Sequence, residues 1–195
     1  NAFRYTKQNS LLEVAFPFAI DEETGTVTRF WGQQPQDSKS LSLQTSAVGK
    51  VNTGAIEHEL LFGVDLNSSE DNFNDKIRLD TSNPIELNLF DPVYKTVARP
   101  DFSQLPLFSD RETETSRLGV FLQDRISFSD KLFLLAGLRY DTVEQTVTNN
   151  PTDEDPTFLE TTQDNDDLTP RIGIVYKPVE PVSLYASYSQ SFTPN

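Results

Sequence analysis

The chain has 195 residues and a mass of 22.0 kDa, the size of one ordinary domain, and its 36% hydrophobic content argues against disorder along the whole length. Thirty Asp+Glu against 16 Lys+Arg give a net charge of −14, a field that repels phosphate backbones and excludes nucleic-acid binding. With no Cys and a single His, His58, the chain has no residues for thiol catalysis, structural zinc, iron–sulfur ligation or a two-histidine metal site.

No run of about 18 apolar residues could cross a bilayer as a helix, and no charged-then-apolar leader opens the chain. With no Met anywhere, Asn1 and Asn195 read as cuts in a longer chain. Helical periodicity is scarce and period-2 alternation recurs, which predicts an all-β chain. In chain order, Leu41 and Leu43 oppose Ser40, Ser42 and Gln44. Ile56, Leu60, Phe62, Val64 and Leu66 then oppose Glu57, Glu59 and Asp65, with His58 on the apolar side. Arg117 to Phe128 puts Leu118, Val120, Leu122, Ile126 and Phe128 on one face, interrupted by Asp124, and Arg117, Gly119, Gln123, Arg125 and Ser127 on the other. Leu132, Leu134, Ala136, Leu138 and Tyr140 follow, opposite Lys131, Gly137, Arg139 and Asp141. Ile172, Ile174 and Tyr176, and then Val182, Leu184, Ala186, Tyr188 and Phe192, complete the series of about seven strands.

Residues paired across an antiparallel ladder point the same way, so parity predicts the turns. Pairing Val51 with Ile56 puts a two-residue turn at Thr53 and Gly54. Pairing Phe128 with Leu132 leaves Ser129, Asp130 and Lys131, and pairing Tyr176 with Val182 leaves Pro178, Val179, Glu180 and Pro181. The opposite connections, residues 72–112 and 149–167, are long and polar, so short and long are expected to alternate. Long alternating strands, turns short at one end and long at the other, and tyrosines near the ends of the apolar stripe form the pattern of an outer-membrane β-barrel. A water-soluble β-sandwich, secreted as a binding or adhesin-like module, also alternates and stays open at this point.

The residues resemble the TonB-dependent siderophore receptors, most closely their ferrichrome-type branch. The marks are Asn1-Ala2-Phe3-Arg4-Tyr5, the stretch Gly54 to Asp65, Asn88-Leu89-Phe90-Asp91-Pro92-Val93, Leu118 to Asp124, Ala136 to Asp141, Thr169 to Tyr176 and Leu184 to Pro194. The resemblance implies a 22-stranded barrel around an amino-terminal plug, importing ferric siderophores across the outer membrane of a Gram-negative-type bacterium. It also implies energy supplied by TonB through a box ahead of the plug. Residues 1–195 would be a partial barrel domain, with plug, box and remaining strands outside them. The partners implied are a ferric siderophore and outer-membrane lipid, with no nucleic acid. No enzyme activity and no cofactor are expected, the siderophore being cargo. Short turns would lie in the periplasm and long connections outside.

A siderophore already fills the coordination sphere of its iron, so such a receptor reads the outside of the complex with aromatic walls and a few donors. The candidates are Phe16, Phe18, Trp31, Phe73 and Tyr94, with Phe30 and Phe90 beside them. Laid beside the ferrichrome-type branch, the aromatic contact positions of the wall fall on Leu12, Val14 and Ile77, none aromatic. Either Phe16, Phe18 and Phe73 take that role or the ligand differs, a hydroxamate siderophore or a citrate-based one. The acids from Asp153 to Asp167 lack the Gly and spacing of a calcium loop and read as a solvated external loop. Glu57 and Glu59 share a face as a glycosidase pair might, yet a polar wall is the simpler reading. Arg125, Arg139, Arg171 and Lys177 share that face and can pair with its acids.

Overall fold

The protein is described here by a computed structural model covering residues 1–79, 84–95 and 97–194. Its strands are β1 (Ala2–Asp21), β2 (Thr26–Thr53), β3 (Ile56–Ile77), β4 (Ile85–Asn88), β5 (Leu107–Ser129), β6 (Leu132–Asn149), β7 (Leu159–Val179) and β8 (Val182–Ser189). Seven form one antiparallel sheet in the order β1-β2-β3-β5-β6-β7-β8, and β4 pairs with β2 beyond the end of β3. The helical element among the described residues is one 3-10 turn, Phe102–Gln104, capped by Asp101. No pairing joins β1 to β8 among the described residues, so the sheet is an open wall with two edges.

The registers run unbroken over long stretches, with shifts confined to strand ends. Side-chain faces therefore carry across the whole sheet. Leu43, Leu66 and Leu118 form one apolar row, Phe62, Leu122 and Leu138 another, and Ile126, Leu134 and Ile174 a third. Gln44, Asp65, Gly119 and Asp141 form a row on the opposite, polar face. The apolar rows run from Leu41, midway along β2, to Ile56 and Leu132 beside the short turns. Some 12 residues of strand at ~3.3 Å each, tilted near 45°, rise about 28 Å, the height of a lipid-facing band.

No second layer covers that band. Leu122 is 53% exposed, Phe62 49% and Ile172 50%, and among the described residues no large side chain is fully buried. The accessible surface is 13507 Å², against roughly 9,300 Å² for a compact soluble domain of this mass. The soluble sandwich fails on this ground, because its apolar stripe would be covered by a second sheet.

Several details correct the sequence expectations. Thr53 pairs with Ile56 and Val51 with His58, so the turn is Gly54-Ala55, with Gly54 at φ 65°. Leu132 pairs with Ser129 rather than Phe128, and Val182 with Val179 rather than Tyr176, because the registers shift after Ser127 and after Tyr176. A bulge adds a residue that face parity does not reveal. The long connections are shorter than expected, residues 78–106 and 150–158, since β3, β5, β6 and β7 continue far past the apolar band. Glu160, Asp164, Asp166 and Asp167 accordingly lie on β7, while Asp153 and Asp155 lie in the connection. Strict alternation of short and long also fails, because β1 and β2 meet through residues 22–25 alone, with Gly25 at φ 68°.

Candidate ligand-binding site

The polar face of the wall is held by charge pairs. Lys50 Nζ lies 3.5 Å from Glu57 and 3.4 Å from Glu59, and Arg125 lies 3.5 Å from Glu59. Acids committed to cations in an open sheet form a wall lining, not a hydrolytic cleft. Higher up, Arg139 reaches across β5 to Asp65 at 2.7 Å and binds Asp141 on its own strand at 2.7 Å. It can cross because β5 carries Gly119 there: a Cβ at Gly119 would lie 2.1 Å from the Arg139 guanidinium. Phe121 crosses Gly63 in the same way, and Arg139 stands 5.6 Å from the centre of its ring. Arg171 donates to Gln123 and Lys177 sits over the Phe133 ring, so these two take neutral partners in place of the acids expected of this face.

On the apolar face, Asp124 meets His58 across β3 and β5, Nδ1 to Oδ2 at 2.7 Å. The interruption of the apolar stripe and the lone histidine are thus one pair, each side chain about a fifth exposed. Both residues lie within a few positions of the short turns, and each has the other as its polar partner on the apolar face.

Above the band the buried apolar residues lie on both sides of the wall: Phe30, 3% exposed, on one, and Val27 and Ile85 on the other, the side of Trp31. The Phe30 ring meets Phe18 edge-on at 5.1 Å and Phe16 at 6.5 Å. Phe16 pairs with Phe30 in register, and Phe73 with Gln36, so Phe16, Phe30 and Phe73 share the polar face. Arg111, paired with Phe73, stands 5.6 Å from its ring. Trp31 points the other way. It packs edge-on against Phe102 at 5.9 Å, under a segment fastened by the Arg99–Glu13 ion pair and by Arg78 donating to the Gln104 carbonyl. Phe90, 77% exposed, lies against Gly25 of the hairpin tip, and Tyr94, 69% exposed beside Lys95 at φ 62°, follows in the same connection. The Ser103 hydroxyl and amide hold Asp101 below the usual carboxylate range. The Thr24 hydroxyl and the amides of Thr24 and Glu23 do the same for Asp21 at the hairpin tip.

Phe16, Phe18 and Phe30 thus pack together on one side of the wall, Phe73 stands on the same side at the register of Gln36, nearer the band, and Trp31 does not join them. Arg111 escaped sequence reasoning, although its parity with Arg117 on β5 places it on that side. Among the described residues no group of three or more His, Asp or Glu side chains gathers as a metal site.

A model of the family described as "TonB dependent receptor-like, beta-barrel" matches residues 1–195. The metal-pseudopaline receptor CntO of Pseudomonas aeruginosa is 34% identical over 158 residues, covering 78% of this chain and 21% of that protein. The ferrichrome outer membrane transporter/phage receptor of Escherichia coli K12 is 32% identical over 163 residues, covering 80% and 20%. The crystal structure of the siderophore receptor PiuA from Acinetobacter baumannii superposes with a TM-score of 0.77 at 21% identity, covering 96% of this chain and 28% of that one. The chain therefore spans about a fifth of the curated relatives it matches. Barrels of this kind are outer-membrane proteins of Gram-negative bacteria, whose apolar rows meet lipid and whose polar face meets the lumen. With a match along its entire length and relatives above 30% identity, the chain belongs to the TonB-dependent receptor β-barrel family.

Proposed function

We propose that the chain is a section of barrel wall from an outer-membrane receptor that imports ferric siderophores, energised by TonB through a part of the protein outside these residues. Phe16, Phe18 and Phe73 serve as the aromatic contacts of the chelate, with Arg111 as donor beside them. Tyr94 contributes from the connection above. Trp31 supports the site indirectly by seating the segment around Phe102. The observation that carries this reading is the shared side of the Phe16–Phe30 and Phe73–Arg111 groups, lumen-facing and beyond the lipid band. A ligand arriving from outside meets that height of the wall first.

The test is uptake of radiolabelled iron by cells producing the receptor that carries this segment, supplied with a hydroxamate or a citrate-based siderophore. One of the two is expected to enter. Phe73→Ala is expected to raise its half-saturating concentration by about tenfold, the loss typical of a central aromatic contact, with outer-membrane levels unchanged. Uptake of neither chelate overturns the transport reading as stated. Uptake indifferent to both Phe73→Ala and Phe16→Ala overturns the site while leaving transport intact.

A further inference from the structure

On the lumen side of β3, Asp71, Phe73 and Asp75 alternate with outward residues, so two carboxylates flank the ring on its own face. Around them on that face, Ser38 and Gln36 of β2 and Thr113 and Ser109 of β5 carry no charge. Arg111 is the cation of this group, and its guanidinium stands 5.6 Å over the Phe73 ring. Among the described residues neither acid forms an ion pair. Asp71 accepts a hydrogen bond from Ser38 Oγ, and Asp75 Oδ1 is removed from solvent without a donor. Two carboxylates against one guanidinium leave a negative charge unmatched, and an oxygen so placed is costly until a donor reaches it.

The wider wall has the same sign. Lys7, Lys39, Glu70, Glu114, Thr146 and Thr162 form the register row just above the band. From that row outward, the described residues of 7–39, 70–114 and 146–162 hold 18 of the chain's 30 acids against 8 of its 16 bases. A cleft lined by one sign of charge focuses its field and draws in the opposite charge. An aromatic face between two carboxylates, on a wall of that sign, suits an alkyl chain ending in an ammonium group. We propose that the site around Phe73 selects a ferric chelate with a protonated amine tail, the amine meeting Asp71 and Asp75 and its alkyl stem lying on the ring. The inference rests on the transport reading and narrows it. Three hydroxamates balance the charge of ferric iron, so a trihydroxamate with such a tail is a cation, whereas a citrate-based chelate brings surplus carboxylates that this wall repels.

The test is uptake of radiolabelled iron by cells producing the receptor that carries this segment. Its probes are a linear trihydroxamate ending in a primary amine and the N-acetylated form, which holds iron through the same groups without the charge. The amine form is expected to half-saturate uptake at about tenfold lower concentration. Asp71→Asn/Asp75→Asn should bring the two within about twofold by weakening the amine form alone. Asp110→Asn/Glu112→Gln removes as much charge from the outward face at the same height and should leave the difference intact. Equal half-saturation by the unmodified receptor, or the same response to both double substitutions, overturns the proposal. An immunoblot of outer membranes reads folding in each strain. Where the lumen double variant is missing from them, Asp71→Asn alone takes its place and should cut the preference to about threefold. A citrate-based chelate, as third probe, separates the two readings. Its entry with both hydroxamates refused overturns the charge selection and leaves transport standing, and refusal of all three sinks transport and selection together.

Discussion

The lower and upper halves of the wall are built from the same strands and obey opposite rules. Below Leu41 on β2, the side facing away from the lumen is Leu, Val, Ile and Phe with no protein cover, and the lumen side is ionic. Above it, the outward row Lys39, Glu70, Glu114 is charged, with Lys39 and Glu70 joined at 2.9 Å, and apolar residues such as Val27, Phe30, Ile85 and Phe102 are buried within the protein itself. The backbone ladder is continuous through the change. The surrounding solvent, not the secondary structure, decides which side of a strand carries the apolar residues. A protein in water must bury its leucines against itself, and a protein in lipid can leave them outside.

The sharpest way to break that comparison is to remove one buried aromatic side chain above the band. Phe30→Ala empties a buried site and should cost about 3–5 kcal/mol, confined to the hairpin tip. Hydrogen exchange should show protection lost over Thr26–Arg29 and Ile85–Asn88 with the lipid band still protected. Loss along all of β2 would mean the halves are one cooperative unit. The lower half is tested by neighbours of opposite parity near the centre of the band. Leu122→Arg should destabilise the folded receptor by about 2–4 kcal/mol in urea titrations from lipid vesicles, while Gln123→Arg, facing the lumen, should stay within about 0.5 kcal/mol. Equal costs would reverse the assignment of faces. The smallest effect is at the tip. Asp21 is held below its ordinary 3.8 by the Thr24 hydroxyl and by two amides, so its contribution is present above that value and lost as the pH falls through the lower folded one. Amide exchange at Glu23 and Thr24 should accelerate in that acid range, and Asp21→Asn should flatten the response.

Leu118 to Phe128 and Leu132 to Tyr140 announce their faces in sequence because lipid requires an apolar residue at nearly every second position. Above the band no such requirement acts. Residues 72–76, 109–112 and 159–167 carry Ser, Thr, Asn and acids without an apolar alternation, so they read as parts of loops although they are paired in the sheet. Turn registers slipped for another reason, since the shifts after Ser127 and Tyr176 leave no mark on composition. At the candidate site the aromatic residues were legible as types, but their sides were not. Trp31 and Phe30 are chain neighbours facing opposite ways, and only the pairing of β2 with β1 and β3 separates them. The His58–Asp124 pair was likewise visible as two anomalies without a link, because the link is a register.

The height of β2 has a consequence for how a solute reaches the membrane. From Lys39 to Thr26 the strand climbs on beyond the band, and at ~3.3 Å per residue and a tilt near 45° that is about 30 Å of wall standing clear of the lipid. If the chain is receptor wall as proposed, such a parapet would act as a vestibule: a solute inside its rim would meet the wall repeatedly before escaping. Its capture would then depend on residence within the rim as much as on the strength of any one contact.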